Sequence, residues 1–384
     1  QDLFRRDLRE KRTELISRAT PGPLGYGPVG SFSVSGEGRR VAMEWGTDVP
    51  ALLDTNGVPD VYVRDLTDGS LRLVSVRADG AGAGNAAARH PLISRDGRMI
   101  AFESASTNLV DAVDANGGTD VFLRDVASGR TELISVSAPG VASDSESTLL
   151  AMDEEASVLV MRNTSTNLGS MEGLPTELII WRRGEPGLRR VVIPGAPISS
   201  FSKLLVVGDA VLSEDGSRMA FSLQFNLPAL QETIGIWVLN LDTSEMTKVS
   251  GSQEVSPESL LLGPVQSRDG RTLAFEVGVG GAQNTGFQVR IWKEGFGLRS
   301  LSEWVDGGAG KEPASSADPI LSPDGSSVMF VSDSPVPEAG VTEGGRWRWY
   351  SRILATGATR LVGSDESVDT LEFDDTGTRV VFSE

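Results

Sequence analysis

One phrase recurs along the chain: a short apolar strand, a Ser-x-Asp-Gly-like turn, then a second apolar strand. It reads HPLISRDGRMIAF at His90–Phe102, DAVLSEDGSRMAF at Asp209–Phe221, GPVQSRDGRTLAF at Gly263–Phe275 and DPILSPDGSSVMF at Asp318–Phe330. A variant, SFSVSGEGRRVAM, covers Ser31–Met43, and degenerate copies lie at Leu149–Met161 and Thr370–Phe382. The turn positions Gly38, Gly97, Ala156, Gly216, Gly270, Gly325 and Gly377 are separated by 59, 59, 60, 54, 55 and 52 residues. A period of this length is the mark of a repeat architecture, in which each unit buries its apolar face on its neighbours.

A second pair of strands follows each copy. In the second repeat these are DVFLRDV (Asp120–Val126) and TELISVS (Thr131–Ser137) around the turn ASGR; in the first they are DVYVRDL (Asp60–Leu66) and LRLVSVR (Leu71–Arg77). β-Branched and aromatic residues bounded by Gly, Asp and Ser predict strands, and no segment sustains a helical period. Four strands per repeat predict the blade of an all-β, seven-bladed β-propeller with four-stranded antiparallel blades. The opening segment, Asp2–Ala19, matches the third and fourth strands of a blade, and the chain ends after the second strand of the seventh copy. The ring is therefore expected to close with the N-terminal strands completing the last blade, which removes open sheet edges. The single propeller domain 1–384 then divides into outer strands of blade 7 (1–19), blades 1 to 6 (29–77, 88–137, 147–194, 207–252, 261–303, 316–364) and inner strands of blade 7 (368–384).

The stretch SRDGRMIAFESASTNLVDAVDANGGTDVFLRDVASGRTELISVS (Ser94–Ser137) resembles the PD40-type, WD40-like repeat of bacterial TolB-like propellers. The resemblance is strongest in the first two repeats and traceable through the rest. It implies the propeller fold and an exported bacterial protein, periplasmic or at the cell surface. It says little of function, because this fold hosts adaptors, enzyme gates and surface proteins alike.

Composition narrows the classes. With 35 Lys+Arg against 53 Asp+Glu the net charge is -18, which argues against nucleic acid as a partner. No apolar run reaches about 18 residues, so no membrane insertion is expected. Cysteine is absent and His90 is the sole histidine, which excludes thiol chemistry and multi-histidine metal sites. No signal peptide is visible; Gln1 leads straight into a strand, as in a mature or trimmed chain.

In propellers the long loops lie on one face, and long loops on a rigid ring carry function. The residues expected just before each first strand, at the channel mouth, are Ser31, His90, Leu149, Asp209, Gly263, Asp318 and Thr370. Of these, His90, Asp209 and Asp318 are the candidate binding residues, although a solvated rim with turn-capping aspartates explains each one alone. Trp304, set among Gly, Asp and Lys, is a further candidate contact. Asp54, Asn56 and Asp60, and again Asp114, Asn116 and Asp120, form a D-x-N-G-x-x-D pattern. That pattern supplies oxygen ligands for calcium. It equally describes an Asx-turn, the preferred expectation. The recurring pairs Arg6-Asp7, Arg64-Asp65 and Arg124-Asp125 are expected to be inter-blade ion pairs or turn caps. Trp181, Trp237, Trp292, Trp347 and Trp349 are expected to pack between blades.

The chain lacks the S-x-D-x-G-x-x-W box of sialidase propellers and any Gly-x-Ser-x-Gly elbow. The leading expectation is a non-catalytic propeller that binds a protein partner. Two alternatives stand beside it: a carbohydrate-active enzyme using carboxylates at the channel mouth, and a calcium-stabilised adhesin-like domain.

Overall fold

The computed structural model describes residues 2–7, 12–17, 28–46, 48–111, 116–137, 140–163, 165–168, 177–191, 205–225, 235–250, 261–279, 286–301, 316–333, 336, 339–342, 344, 346–363, 370–373 and 379–383. They form seven four-stranded antiparallel sheets, the blades of a seven-bladed β-propeller. Among the described residues helical structure is confined to short 3-10 turns such as Pro50–Leu52.

Two compact units result. The first comprises Gln1–Ile193, Phe201–Lys203 and Val368–Glu384; the second comprises Pro194–Ser200 and Leu204–Ser367. In the first unit, blade 1 runs through Val29–Val34, Arg40–Trp45, Asp60–Asp65 and Leu71–Leu73. Blade 2 runs through Ala88–Ile93, Met99–Ser104, Asp120–Asp125 and Arg130–Leu133, and blade 3 through Ser147–Met152, Val158–Asn163, Glu177–Arg182 and Leu188–Arg190. Blade 7 is built from both chain ends: Thr370–Phe373 pairs with Arg379–Ser383, which pairs with Leu3–Asp7, which pairs with Arg12–Leu15. The second unit holds blade 4 (Leu205–Leu212, Arg218–Phe225, Gly235–Asn240, Met246–Lys248) and blade 5 (Leu261–Gln266, Thr272–Val279, Gly286–Lys293, Gly297–Ser300). It also holds blade 6 (Ser316–Leu321, Ser327–Ser332, Arg348–Ile353, Thr359–Gly363).

The apolar core lies between successive blades. Ala42, Val61 and Val63 of blade 1 meet Ile93, Ile100 and Phe102 of blade 2; Ala274 and Ile291 of blade 5 meet Leu321, Val328 and Phe330 of blade 6. Each fully buried side chain such as Phe102 contributes about 1.5–3 kcal/mol by leaving water. Of the repeated tryptophans, Trp349 is buried, Trp181 and Trp292 pack on core clusters, and Trp347 is exposed.

The Ser-x-Asp-Gly turn is a self-contained cap. Ser94 donates its hydroxyl to Asp96 Oδ1 (2.6 Å) and accepts the Met99 N–H (2.9 Å), while Asp96 also accepts the Arg98 N–H. Ser213–Asp215, Ser267–Asp269 and Ser322–Asp324 repeat it, each at 2.7 Å. Blade 3 keeps the turn by other means: Asp153 replaces the serine and accepts the Ser157 and Val158 N–H groups, and Ala156 takes the left-handed backbone (φ 51°). Main-chain bonds link these turns from blade to blade. The Gly36 N–H donates to Arg95 O, and the Arg95 N–H to Glu154 O; in the second unit the Glu214 N–H donates to Arg268 O, and the Arg268 N–H to Pro323 O.

Candidate functional site

His90 does not precede its strand; it lies within Ala88–Ile93, where the register shifts between Arg89 and Leu92. Pro91 follows it and withdraws one N–H from the ladder, which suits a bulge. His90 has φ 49°, a left-handed backbone that non-glycine residues seldom adopt. Its Nδ1 sits 2.9 Å from Glu103 Oε2, and its side chain is 58% exposed. The hydrogen bond to Glu103 raises the His90 pKa above the usual histidine value, against the opposing effect of burial.

Glu103 does not stand out as a candidate in the sequence. It is buried on the second strand of blade 2, and its other oxygen accepts the Leu149 N–H of blade 3 at 2.7 Å. One carboxylate thus orients the histidine and ties two blades together. Leu149, expected as an apolar rim residue, is buried instead, packed in the core cluster with Leu159 and Ile179.

The arrangement recurs. In blade 1, Ser31 donates to Glu44 Oε2 (3.1 Å), and Arg89 of blade 2 approaches Glu44 Oε1 at 3.9 Å. Gly30 lets the Glu44 carboxyl lie close to the backbone, since a Cβ there would lie 2.7 Å from its carboxyl carbon and push the side chain aside. In the second unit, Asp318 of blade 6 has φ 50°, sits at the register shift between Ala317 and Ile320, and donates its N–H to Glu276 Oε1 of blade 5 at 2.5 Å. Burial raises the pKa of both Glu276 and Asp318. The signal that points to these glutamates is an acid after the apolar run at one place in three copies: AMEW, AFES and AFEV. Asp209 falls in the strand Leu205–Leu212, at the register shift between Val207 and Ala210. Trp304 and Asp114 lie outside the described residues.

The D-x-N-G-x-x-D loops have the bonding of Asx-turns. Asn56 Oδ1 accepts the Val58 N–H (3.1 Å), and Asn116 Oδ1 accepts the Gly118 N–H (2.5 Å). The Asn56 amide donates to Asp60 Oδ2 (2.6 Å) and Gly84 O (3.0 Å); the Asn116 amide donates to Asp120 Oδ2 (2.9 Å). Ser75 and Ser135 donate to the remaining oxygens of Asp60 and Asp120, both at 2.6 Å. Burial pushes the Asp60 pKa up to about 7. Asp54 is also fully buried; Tyr62 and the Val49 N–H donate to its Oδ2. Among the described residues no group of three or more His, Asp or Glu side chains is placed to hold a metal ion.

The Arg-Asp pairs act within blades. Asp65 accepts from Arg40 and the Thr67 N–H, Asp125 accepts from Arg98 and the Ala127 and Ser128 N–H groups, and Arg64 reaches Gly69 O in its own hairpin. They are turn caps and intra-blade ion pairs. The side chains of Arg6 and Asp7 lie outside the described residues.

No family model matches the chain, and no curated protein matches it. Solved structures do. A prolyl endopeptidase matches with TM-score 0.57 at 13% identity, over 96% of this chain and 48% of its own. An oligogalacturonate lyase in complex with manganese matches with TM-score 0.55 at 12% identity, over 91% of this chain and 84% of its own. The β-propeller domain of the Trilobed protease from Pyrococcus furiosus, described as having an open velcro topology, matches with TM-score 0.53 at 13% identity, over 91% and 89%. The chain spans about half the length of the prolyl endopeptidase. These matches run against the expectation of a non-catalytic chain: the prolyl endopeptidase, the lyase and an acylaminoacyl peptidase are enzymes. At such identities the likeness carries the fold and not their chemistry. In this chain Leu3–Asp7 and Arg379–Ser383 share one sheet. The chain is a seven-bladed β-propeller of four-stranded antiparallel blades.

Proposed function

We propose that this propeller is a binding module for a polypeptide, partner or substrate, engaged through the inner-strand bulge of blade 2 and the loops beside it. The observation that supports this reading is His90: exposed, on a strained left-handed backbone, and oriented by a buried carboxylate. Strain of this kind costs on the order of 1–3 kcal/mol and persists where surrounding structure enforces it, most often at functional sites. Asp318 repeats the bulge in blade 6 of the second unit and is proposed as a separate contact residue of that unit. An exported bacterial setting, periplasmic or at the cell surface, belongs to the same proposal; the acidic, cysteine-free composition is compatible with it. A displayed random-peptide library, panned on the intact chain and on His90→Ala, tests the reading. Peptides enriched on the intact chain and lost on the variant support it. An intact chain that enriches none, or peptides indifferent to His90, overturn it.

A second reading, a carbohydrate-active enzyme, is favoured by one observation. The chain covers 84% of the oligogalacturonate lyase but about half of the peptidases. Against it stands the net charge of -18, which repels a polyanionic saccharide. Incubation with oligogalacturonate and manganese, following the ultraviolet absorbance of an unsaturated product, decides it.

A further inference from the structure

Within the second unit a cavity of about 390 Å³ opens between the outer hairpin of blade 5 and the turns of blade 6. Ile291 and Leu354, both buried core residues, form its apolar wall, with Phe296 at the lip. That volume falls in the range of small-molecule sites, roughly 300–1,000 Å³.

Phe296 is anomalous. It stands at the tip of the hairpin, flanked by Gly295 and Gly297, both at φ 78°, and is 68% exposed. Tips favour small polar residues, and the apolar cluster joining blades 5 and 6 does not include Phe296. The Lys293 ammonium lies 5.8 Å from its ring centroid. Among the described residues Lys293 has no carboxylate partner. Glu294, next in sequence, is engaged by Arg218 at 3.0 Å and Arg271 at 3.4 Å. Lys293 and Arg299 therefore give this cavity a cationic rim on a chain of net charge -18. An apolar wall, a solvent-facing aromatic and adjacent cations are complementary to a molecule with a carbon body and one negative end.

We propose that this cavity binds a small amphiphilic carboxylate, its aliphatic or aromatic body against Ile291, Leu354 and Phe296 and its carboxylate at Lys293. Titration calorimetry of the full chain with octanoate tests this, with octyltrimethylammonium as the charge-reversed probe. Lys293 is exposed, so Lys293→Glu is expected to leave the melting temperature unchanged. Saturable octanoate binding is expected, about tenfold weaker in Lys293→Glu and abolished in Ser326→Trp, where the indole fills the cavity from its exposed edge. Octyltrimethylammonium is expected to bind the intact chain more weakly than octanoate. Absence of octanoate binding overturns the proposal. So does equal binding of both probes, or affinity unchanged in Lys293→Glu.

Discussion

The carboxylate of Glu103 accepts the main-chain N–H of Leu149 at 2.7 Å, across the seam between the second and third blades. This bond joins stability to the site, because the same carboxylate meets His90 at 2.9 Å. Glu103→Ala strands the buried Leu149 N–H, at about 2 kcal/mol. Glu103→Gln keeps an acceptor for it and is expected to lose less than about 1 kcal/mol. Urea unfolding midpoints of the three proteins measure the difference.

His90 titrates alone, since the chain has one histidine. Its folded pKa is raised, so its contribution to stability is fully present below the unfolded value, near 6.5, and disappears as pH rises through the folded pKa. Intact chain and His90→Gln should differ most in stability below about pH 6.5 and converge in alkaline solution. The carbon-bound proton resonances of this one imidazole should titrate with a midpoint above 6.5, and in Glu103→Gln that midpoint should move back down. A midpoint at or below about 6.5 in the intact chain would show that the bond to Glu103 does not form in solution.

Two glycines separate backbone strain from crowding. At Gly69 (φ 73°) an added Cβ meets nothing, so Gly69→Ala is expected to cost only the left-handed penalty, about 1–2 kcal/mol. At Gly325 (φ 63°) the Cβ would lie 2.8 Å from Thr272 Oγ1 and 2.9 Å from Ser267 Cβ, both in blade 5. Gly325→Ala should therefore destabilise roughly twice as much. Thermal midpoints of the two variants should be ordered accordingly; equal losses would show that the blades do not approach as closely as the turn geometry requires.

Asp60 gives a pH dependence of opposite origin. Burial lifts its folded pKa to about 7, so ionisation disfavours the fold, and its contribution improves as pH falls through 7 towards the unfolded value. Relative to Asp60→Asn, the intact chain should gain stability between about pH 7 and pH 4. Chemical unfolding at several pH values checks the sign.

The Asn56 and Asn116 amides already donate to the carboxylates that a calcium ion would need. The melting midpoint in millimolar calcium is accordingly expected to match that in excess EDTA. A rise of several degrees would instead make these loops metal sites.

The repeat, the turn and the strand exchange between the termini are all legible in the sequence, because each is written in residue types with one strong local preference. Ser94, Asp96 and Gly97 leave the backbone little choice. The bulges are not legible. His90 and Asp318 take left-handed backbones through register and neighbouring carboxylates, which residue type does not encode, so sequence reasoning sets both before their strands when they lie within them. Glu44, Glu103 and Glu276 are hidden for a related reason. An acid at the end of an apolar strand reads as solvent-facing, and only its neighbour blade supplies the N–H or side chain that buries it. The missing sialidase box and serine elbow are real features of the sequence, but they bear on two chemistries only. They do not set this fold apart from catalysis, since propellers of the same architecture belong to a peptidase and a lyase.

Leu3 pairs with Ser383 and Arg5 with Val381, so the closing sheet joins residues separated by almost the entire polypeptide. During synthesis Leu3–Asp7 can pair with Arg12–Leu15 at once, but its other edge presents open backbone groups until Arg379–Ser383 has been made. Contacts of such long sequence separation form slowly and leave intermediates prone to association. Expression yield should therefore respond more to changes in Leu3–Asp7 and Arg379–Ser383 than to equal changes in a mid-chain hairpin.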